Sequence, residues 1–165
     1  LSNDSDVRSD IVLSAGCTTN DSNHISAPSR TGEELAKAVN QALSRSSMNW
    51  EEIGFVSAHG TATMYNDEME IKALELLGKK DVPVFSLKGS IGHTLGAAGL
   101  VECIVGIMAL NDEKTPPTVG YDDSPISDSV SVSNKSMALK TKRGFIKTSS
   151  GFGGLNSVIV IGKNK

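Results

Sequence analysis

The chain has 165 residues, of which 38% are hydrophobic and 4% aromatic, and its formal net charge is -3. This length allows one domain with a single core, and the slightly acidic balance excludes the basic surface typical of nucleic-acid-binding proteins. No apolar run approaches the ~18 residues of a membrane helix, and Cys17 and Cys103 show neither metal-ligand spacing nor a disulfide pattern. We therefore expect a cytoplasmic domain with no nucleic-acid or membrane partner.

The beginning of the chain predicts a lead-in, a strand and a helix. Residues 1–10 are polar and are expected to be a loose segment before a domain that spans 11–165. A short strand at Ile11–Leu13 is expected to end in a loop that begins at Gly16. Beyond this loop, apolar residues recur at helical spacing and predict a helix over 32–45. Thr31 and Glu34 have the spacing of a capping box at its start.

Strands and helices then alternate. Strands are predicted at Ile53–Ala58 and Pro83–Leu87. Between them lies a helix that is capped by Asp67 and ended by Gly78. The segment from Ala97 to Leu110 is apolar on nearly all sides, which is typical of a helix buried on several sides.

The last part of the chain contains strands without helices. Three closing strands are predicted, at Val130–Val132, Gly144–Thr148 and Val158–Ile161. Helices that alternate with strands, followed by strands alone, indicate an α/β layered domain with a mixed sheet.

Three glycine-rich strings follow or precede predicted strands, and loops at strand ends are where α/β proteins assemble sites. They are HGTAT from His59, KGSIGH from Lys88 and GFGGLN from Gly151. Each basic residue also has a structural interpretation. His59 could bind nearby backbone in a turn, His93 could cap a helix or lie in the core, and Lys88 could reach solvent.

One carboxylate is unexpected. Glu102 lies in the apolar helix, and because buried charges need partners, we predict an ion pair with Lys88. A helix edge that touches water is the alternative. We expect His24 to be a solvated loop residue and Cys103 to be an inert apolar group.

Taken together, the strings VSAHGTATMYNDEMEIKAL, SLKGSIGHTLGAAGLVE and TSSGFGGLNSVIV resemble the C-terminal half of the β-ketoacyl-[acyl carrier protein] synthases I and II. The resemblance implies the thiolase-like fold, a duplicated five-layer α-β-α-β-α arrangement. This chain would be one half, with a mixed five-stranded sheet. It departs from the usual pattern at Ser150 and at Met64-Tyr65, which bears on pocket shape.

The resemblance also implies roles for individual residues. His59 and His93 would act on the malonyl thioester, supported electrostatically by Lys88. Phe152 would gate the acyl pocket, and its backbone N–H would form half of an oxyanion hole. The remaining implied positions bind the phosphopantetheine arm or substrate (Thr61, Thr63, Gly153 and Asn156) or support the structure (Glu102 and Asp67).

The implied reaction is a decarboxylative Claisen condensation of an acyl thioester with malonyl-carrier protein, in fatty acid or polyketide-type biosynthesis. No metal or organic cofactor is expected, because phosphopantetheine arrives on the carrier protein. The nucleophilic cysteine of such synthases belongs to the N-terminal half, which we expect to be absent here, so this piece alone would be inactive. The expected partners are acyl carrier protein and that N-terminal half, with the full-length protein a homodimer or heterodimer. The alternatives are a non-catalytic partner like a chain-length factor and a carrier-protein docking module.

Overall fold

One mixed sheet organises the computed structural model, which describes residues 10–22, 24–122, 130–141 and 143–164. Its five strands lie in the order β1-β5-β4-β2-β3, with β4, β2 and β3 parallel and the pairs β1–β5 and β4–β5 antiparallel. The strands are β1 (Ile11–Asn20), β2 (Ile53–Ser57), β3 (Val84–Phe85), β4 (Gly144–Gly151) and β5 (Leu155–Lys163). The predicted lead-in lies outside the described residues except for Asp10.

Four helices accompany the sheet among the described residues. They are α1 (Glu33–Arg45), α2 (Met64–Leu76), α3 (Lys88–Ile91) and α4 (Ala98–Asp112). Short 3-10 turns at Trp50–Glu52 and Leu95–Ala97 precede strand β2 and helix α4. Together with the sheet, these helices confirm the predicted α/β architecture with a mixed five-stranded sheet.

Several predicted strand ends are wrong. Strand β1 continues through Gly16 and Cys17 instead of ending in a loop, because this segment pairs with Ile159 and Val158 of strand β5. Strand β3 is only two residues long, because a helical turn begins at Lys88. The strand predicted at Val130–Val132 is reduced to a single bridge between Val132 and Val84.

Both predicted N-caps are wrong, whereas Gly78, with a φ of 63°, follows the C-cap Leu77 and ends helix α2 as predicted. Helix α1 begins after its N-cap residue Gly32, whose φ of 72° is left-handed. Thr31 Oγ1 accepts from the Glu33 N–H at 3.4 Å instead of from Glu34, so Thr31 and Glu34 form no capping box. Helix α2 begins at Met64, because Thr63 takes the extended backbone conformation of an N-cap residue. Asp67 is therefore inside the first turn, where its N–H donates to the Thr63 carbonyl at 3.1 Å.

Both faces of the sheet are covered by apolar layers. Residues that alternate along a strand point to opposite faces, and accordingly Phe55 and Val56 belong to different hydrophobic clusters. One cluster joins the sheet to helices α1 and α2 through Leu35, Val39 and Met69 among others. The other joins it to helix α4 and contains Phe55, Phe85, Phe145 and Leu110. The ring of Phe55 is stacked on that of Phe145, with centroids 4.8 Å apart.

Helix α4 is buried on one side only, contrary to the prediction of burial on several sides. Its opposite side forms an exposed stripe of Leu100, Ile104 and Met108, which are 60%, 51% and 59% exposed. By length and composition the stretch Leu95–Asp112 could cross a membrane, with a mean hydropathy of 1.5 over 18 residues. The expectation that no run is long enough was therefore wrong. In this fold, however, helix α4 lies against the sheet and carries the buried carboxylate of Glu102.

The contact between helix α4 and strand β4 depends on a glycine. A Cβ on Gly106 would lie 2.5 Å from the ring of Phe145, which is fully buried, whereas a Cβ on Gly99 would meet only Ser149 Oγ at 3.9 Å. Within this chain, helix α4 therefore approaches the sheet closely at Gly106 and not at Gly99.

We expect Gly106→Ala to lower the free energy of unfolding by about 1–3 kcal/mol, because the added methyl group overlaps a ring that cannot move aside. Gly99→Ala on the same helix is the control, and it should be neutral or stabilising by up to about 1 kcal/mol, since alanine favours helix. Urea denaturation of both variants measures the difference. Equal stabilities would mean that helix α4 does not rest on Phe145 as described.

Candidate active site

The two histidine-bearing strings meet at the ends of the parallel strands β2 and β3. His59 comes two residues after the last residue of strand β2, and Lys88 begins helix α3 just beyond strand β3. Gly60 has a φ of 47°, and a Cβ there would lie 2.4 Å from the Cβ of Ser86. Ser86 Oγ donates to the Gly60 carbonyl at 2.9 Å. Only glycine allows the two strand ends to approach so closely.

This approach brings the two imidazoles together. The rings of His59 and His93 are edge to face, with centroids 5.4 Å apart and an interplanar angle of 82°. His59 is 6% exposed, whereas His93 is open to solvent. His93 Nδ1 accepts a hydrogen bond from the Leu95 N–H at 3.1 Å, so in the neutral ring the proton is on Nε2. His93 can therefore donate a hydrogen bond from Nε2.

Burial and nearby cations keep His59 neutral. Burial contributes most, followed by the ammonium groups of Lys88 and Lys147, and together they lower the pKa of His59 to about 4. At neutral pH the ring therefore carries one proton and no charge. Its Nδ1 has no hydrogen-bond partner among the described residues.

The predicted ion pair between Lys88 and Glu102 is confirmed, and it has a third member. Lys88 Nζ lies 2.5 Å from Glu102 Oε1, and Lys147 Nζ lies 2.7 Å from Oε2 of the same carboxylate. The side chains of Lys88, Lys147 and Glu102 are 6%, 2% and 1% exposed. Sequence reasoning missed Lys147, although it stands in the apolar run GFIK, the same signal that singled out Lys88.

The shared carboxylate remains charged. Burial alone would raise the pKa of Glu102, but Lys147 and Lys88 outweigh burial and hold it below its usual range. Burial lowers the pKa of Lys147, while the carboxylate of Glu102 opposes that effect.

A second buried carboxylate, Glu70 of helix α2, binds the backbone of the His59 loop. Its Oε1 accepts hydrogen bonds from the N–H of His59 and from Thr148 Oγ1, both at 2.8 Å, and its Oε2 accepts from the Gly60 N–H at 2.7 Å. Sequence reasoning missed Glu70 as well, because helix α2 has little segregation of polar from apolar faces to show which side is buried. Glu70 thus fixes the backbone on either side of His59.

Asp67 and the two threonines lie beside this loop. Thr61 and Thr63 share a hydrogen bond between their Oγ1 atoms at 2.8 Å, and Asn66 Nδ2 donates to Thr61 Oγ1 at 3.0 Å. Burial, followed by the nearby carboxylate of Glu70, raises the pKa of Asp67 to about 6. Asp67 is thus closer to neutrality at physiological pH than an exposed aspartate.

Both histidine loops contain a strained residue. Ala62 in the first loop and Leu95 in the second are not glycines, yet they have φ angles of 57° and 52°. Such conformations cost about 1–3 kcal/mol and are concentrated at functional sites, where the surrounding structure enforces them.

A cavity of about 460 Å³ opens beside these groups. Its polar lining includes Thr61, Asp67, Lys88 and His93, and its apolar lining includes aliphatic side chains of helices α1 and α2, such as Leu35, Val39, Ile71 and Leu74. Mostly apolar walls with a few convergent polar groups are typical of small-molecule sites.

The tip of the hairpin between strands β4 and β5 does not line this cavity. Phe152 is 86% exposed and does not line the cavity. The N–H of Gly153 donates to the Ile25 carbonyl at 2.6 Å, and its carbonyl accepts from Asn20 Nδ2 at 2.8 Å. Asn156 is 1% exposed. Its side chain is engaged internally, since Oδ1 accepts from Ser150 Oγ and Nδ2 donates to Asp21 Oδ1. Both Gly153 and Asn156 therefore have structural contacts, and their binding to pantetheine stays a prediction.

Neither cysteine resembles an activated nucleophile. Cys17 is buried in strand β1, with Sγ donating to Gln41 Oε1 at 3.0 Å. Burial raises the pKa of Cys103. His24 lies in an exposed loop, as expected. In the described part of the chain, no group of three or more His, Cys, Asp or Glu side chains could hold a metal ion.

We expect Glu102→Gln to lower the free energy of unfolding by about 3–5 kcal/mol, because it leaves two buried ammonium groups without a counter-charge. Glu34→Gln is the control: Glu34 pairs with Lys37 at 3.4 Å on the surface, where such pairs contribute about 0–1 kcal/mol. Urea denaturation at neutral pH measures both. A small loss for Glu102→Gln would show that the shared carboxylate does not hold the site together.

Comparison with known proteins agrees with the fold and the motifs. The family model described as Beta-ketoacyl synthase, C-terminal domain, matches residues 11–122. The 3-oxoacyl-[acyl-carrier-protein] synthase 2 of Vibrio cholerae is 37% identical over 145 residues, which are 85% of this chain and 35% of the relative. That of Rhizobium meliloti is 33% identical over 144 residues, which are 86% of this chain and 34% of the relative. The chain spans about a third of the length of these curated relatives.

Solved structures give the same result. A chain from the complex of a ketosynthase with its chain length factor, from Xenorhabdus doucetiae, superposes with a TM-score of 0.85 at 28% identity, covering 96% of this chain and 40% of that one. A chain from a type II polyketide synthase acyl carrier protein in complex with its ketosynthase also gives 0.85, at 27% identity, covering 93% and 38%. The thiolase-like fold implied by the motifs is thereby confirmed. Since the family model matches more than half of the residues, this chain belongs to the β-ketoacyl synthase C-terminal domain family.

Proposed function

We propose that this chain supplies the malonyl-activating part of a 3-oxoacyl-[acyl carrier protein] synthase, which joins an acyl thioester to malonyl-carrier protein with loss of carbon dioxide. The observation that carries the proposal is the edge-to-face pair of His59 and His93, 5.4 Å apart and beside the buried ammonium of Lys88. The activity of the whole protein is a proposal because the chain spans about a third of the length of its curated relatives.

The two imidazoles would act as hydrogen-bond donors. When the malonyl carbon–carbon bond breaks, its electron pair moves into the thioester, and negative charge develops on the thioester oxygen. Neutral histidines each offer an N–H for that oxygen, and donors fixed in advance stabilise such charge strongly. The depressed pKa of His59 and the Nδ1 contact of His93 support these protonation states.

Other residues would handle the carrier arm and the acyl chain. Thr61 and Thr63 lie at the end of helix α2 nearest to His59 and would bind the phosphopantetheine arm that the carrier protein brings. Phe152 would gate the acyl pocket, and its N–H would contribute to the oxyanion hole. Its exposure at the tip of the hairpin leaves it able to turn towards an acyl chain.

The nucleophile would come from an N-terminal half, in the same protein or in a partner. Cys17 and Cys103 are both buried, and neither lines the cavity beside the histidines. The chain alone would therefore not accept an acyl group. The exposed apolar stripe on helix α4 is a surface that such a half would cover, because contiguous apolar patches mark interaction sites. Carrier protein and a homodimeric or heterodimeric partner belong to the same proposal. Cytoplasmic location and independence from cofactors stay predictions.

A non-catalytic role resembling that of a chain-length factor is the second candidate. One structural neighbour comes from a ketosynthase in complex with its chain length factor. The edge-to-face contact of His59 with His93, together with the hydrogen bond from Lys88 Nζ to the His59 carbonyl, favours catalysis. A docking module for carrier protein is the third candidate. Release of carbon dioxide from malonyl-carrier protein, measured below, separates catalysis from both alternatives.

In the protein assembled with a cysteine-bearing N-terminal half, we expect His59→Ala to slow release of carbon dioxide from malonyl-carrier protein by about 100- to 1,000-fold, because one enolate donor is lost. Acylation of the cysteine should continue, as intact-mass spectrometry would show. The matched control is His24→Ala, which removes an exposed loop histidine. Undiminished carbon dioxide release by His59→Ala would remove His59 from this role.

We also expect the chain by itself to form no acyl-enzyme with acyl-carrier protein and no adduct with a cysteine-directed synthase inhibitor. The reason is that both thiols are buried and Cys17 is already hydrogen-bonded. Mass spectrometry after mild incubation checks this, with urea-unfolded chain as the positive control for labelling. Specific acylation of Cys17 in the folded chain would contradict the proposed division between the two halves.

A further inference from the structure

Lys147 is a fully buried cation that the reaction outlined above does not use. Its side chain is 2% exposed, and Nζ lies 2.7 Å from Glu102 Oε2. The same ammonium donates to the carbonyls of Ser57 at 3.3 Å and Ala58 at 3.2 Å, and to the carbonyl of Thr148. These acceptors surround Nζ and fix the position of the Lys147 ammonium group.

The lysines together bind a continuous piece of backbone. Lys147 takes the carbonyls of Ser57 and Ala58, and Lys88 Nζ donates to the next carbonyl, that of His59. Three successive carbonyls at the end of strand β2 therefore accept hydrogen bonds from two ammonium groups that share one carboxylate. On the amide side, Glu70 holds the N–H of His59. The segment that carries the imidazole is thus fixed by buried charges on both of its edges.

We propose that Lys147 is a positioning residue of this site: by sharing Glu102 with Lys88 and binding the last carbonyls of strand β2, it fixes the His59 ring opposite His93 and adds a second positive charge to its surroundings. The inference rests on the proposed function and deepens it. Lys147 need not touch substrate, since it acts through the His59 backbone and through Glu102.

The charge of Lys147 acts on the pKa of His59 in a known direction. The charged and titratable groups around His59 are Lys88 of helix α3, Lys147 of strand β4, Glu102 of helix α4, His93, and Glu70, which binds the His59 N–H. Burial lowers the pKa of His59 most; Lys88, Lys147 and His93 lower it further, and Glu102 raises it. Removing the Lys147 charge must therefore raise the pKa of His59, so that the ring takes up its proton at a higher pH.

The test is Lys147→Met, which keeps the length of the side chain, leaves Lys88 and Glu102 paired, and removes the charge and the donors. In the protein assembled with its N-terminal half, carbon dioxide release from malonyl-carrier protein should fall by about 100-fold, the cost of a misplacement of about 1 Å. Acylation of the cysteine should be unchanged. A carbon-13 histidine NMR titration should show His59 protonating at a higher pH than in the unsubstituted protein.

Lys72→Met is the matched control, because Lys72 is half-buried and its ammonium donates to the Arg30 carbonyl at 3.0 Å, away from the histidines. It should alter neither readout. If Lys147→Met does not fold, Lys147→Gln keeps a donor without the charge, and the same two measurements apply. An unshifted His59 titration, or carbon dioxide release within about two-fold of the unsubstituted protein, would overturn the proposal. If the unsubstituted protein releases no carbon dioxide, the proposed function fails, while the His59 titration still tests Lys147.

Discussion

The carboxylate of Glu102 is the constraint on which the rest of the site depends. A buried ion costs several kcal/mol to desolvate, and removing its partner leaves that cost uncompensated. Glu102 reaches Lys88 and Lys147 with its two oxygens, at 2.5 Å and 2.7 Å. Because the three side chains come from helix α4, helix α3 and strand β4, none of these elements can shift without separating buried charges. The carboxylate thereby sets the distance from helix α4 to helix α3 and to strand β4.

The same arrangement explains how His59 can be a neutral donor at the edge of a charged cluster. The ammonium groups of Lys88 and Lys147 do not donate to the imidazole. Their N–H groups donate to Glu102 and to the carbonyls at the end of strand β2. What remains at His59 is a positive potential without a competing donor. This potential opposes protonation of the ring and favours negative charge developing nearby. An imidazole that donates a hydrogen bond to a developing negative charge while remaining neutral is favoured by this combination.

The site was partly predictable from sequence, and the failures have physical reasons. The ion pair of Lys88 with Glu102 could be inferred because a carboxylate in an apolar helix requires a partner. Lys147 obeys the same rule, but it stands within a strand, and sequence does not show which neighbour a strand residue faces. Glu70 was missed because helix α2 has no clear apolar face. The start of strand β1 at Ile11 was predicted correctly, but its end was wrong because its pairing with strand β5 overrides a loop-like local composition.

Helix α4 has the apolar composition of a buried helix, but one of its sides is exposed in this chain. The uniform apolar character of residues 97–110 predicted burial on several sides, yet the side that carries Leu100, Ile104 and Met108 faces solvent in this structure. The opposite side is fixed by the close contact between Gly106 and Phe145, so the helix cannot rotate to hide the stripe. Only a second surface laid against helix α4 could therefore bury the stripe, and it would do so without disturbing Glu102, which is 1% exposed.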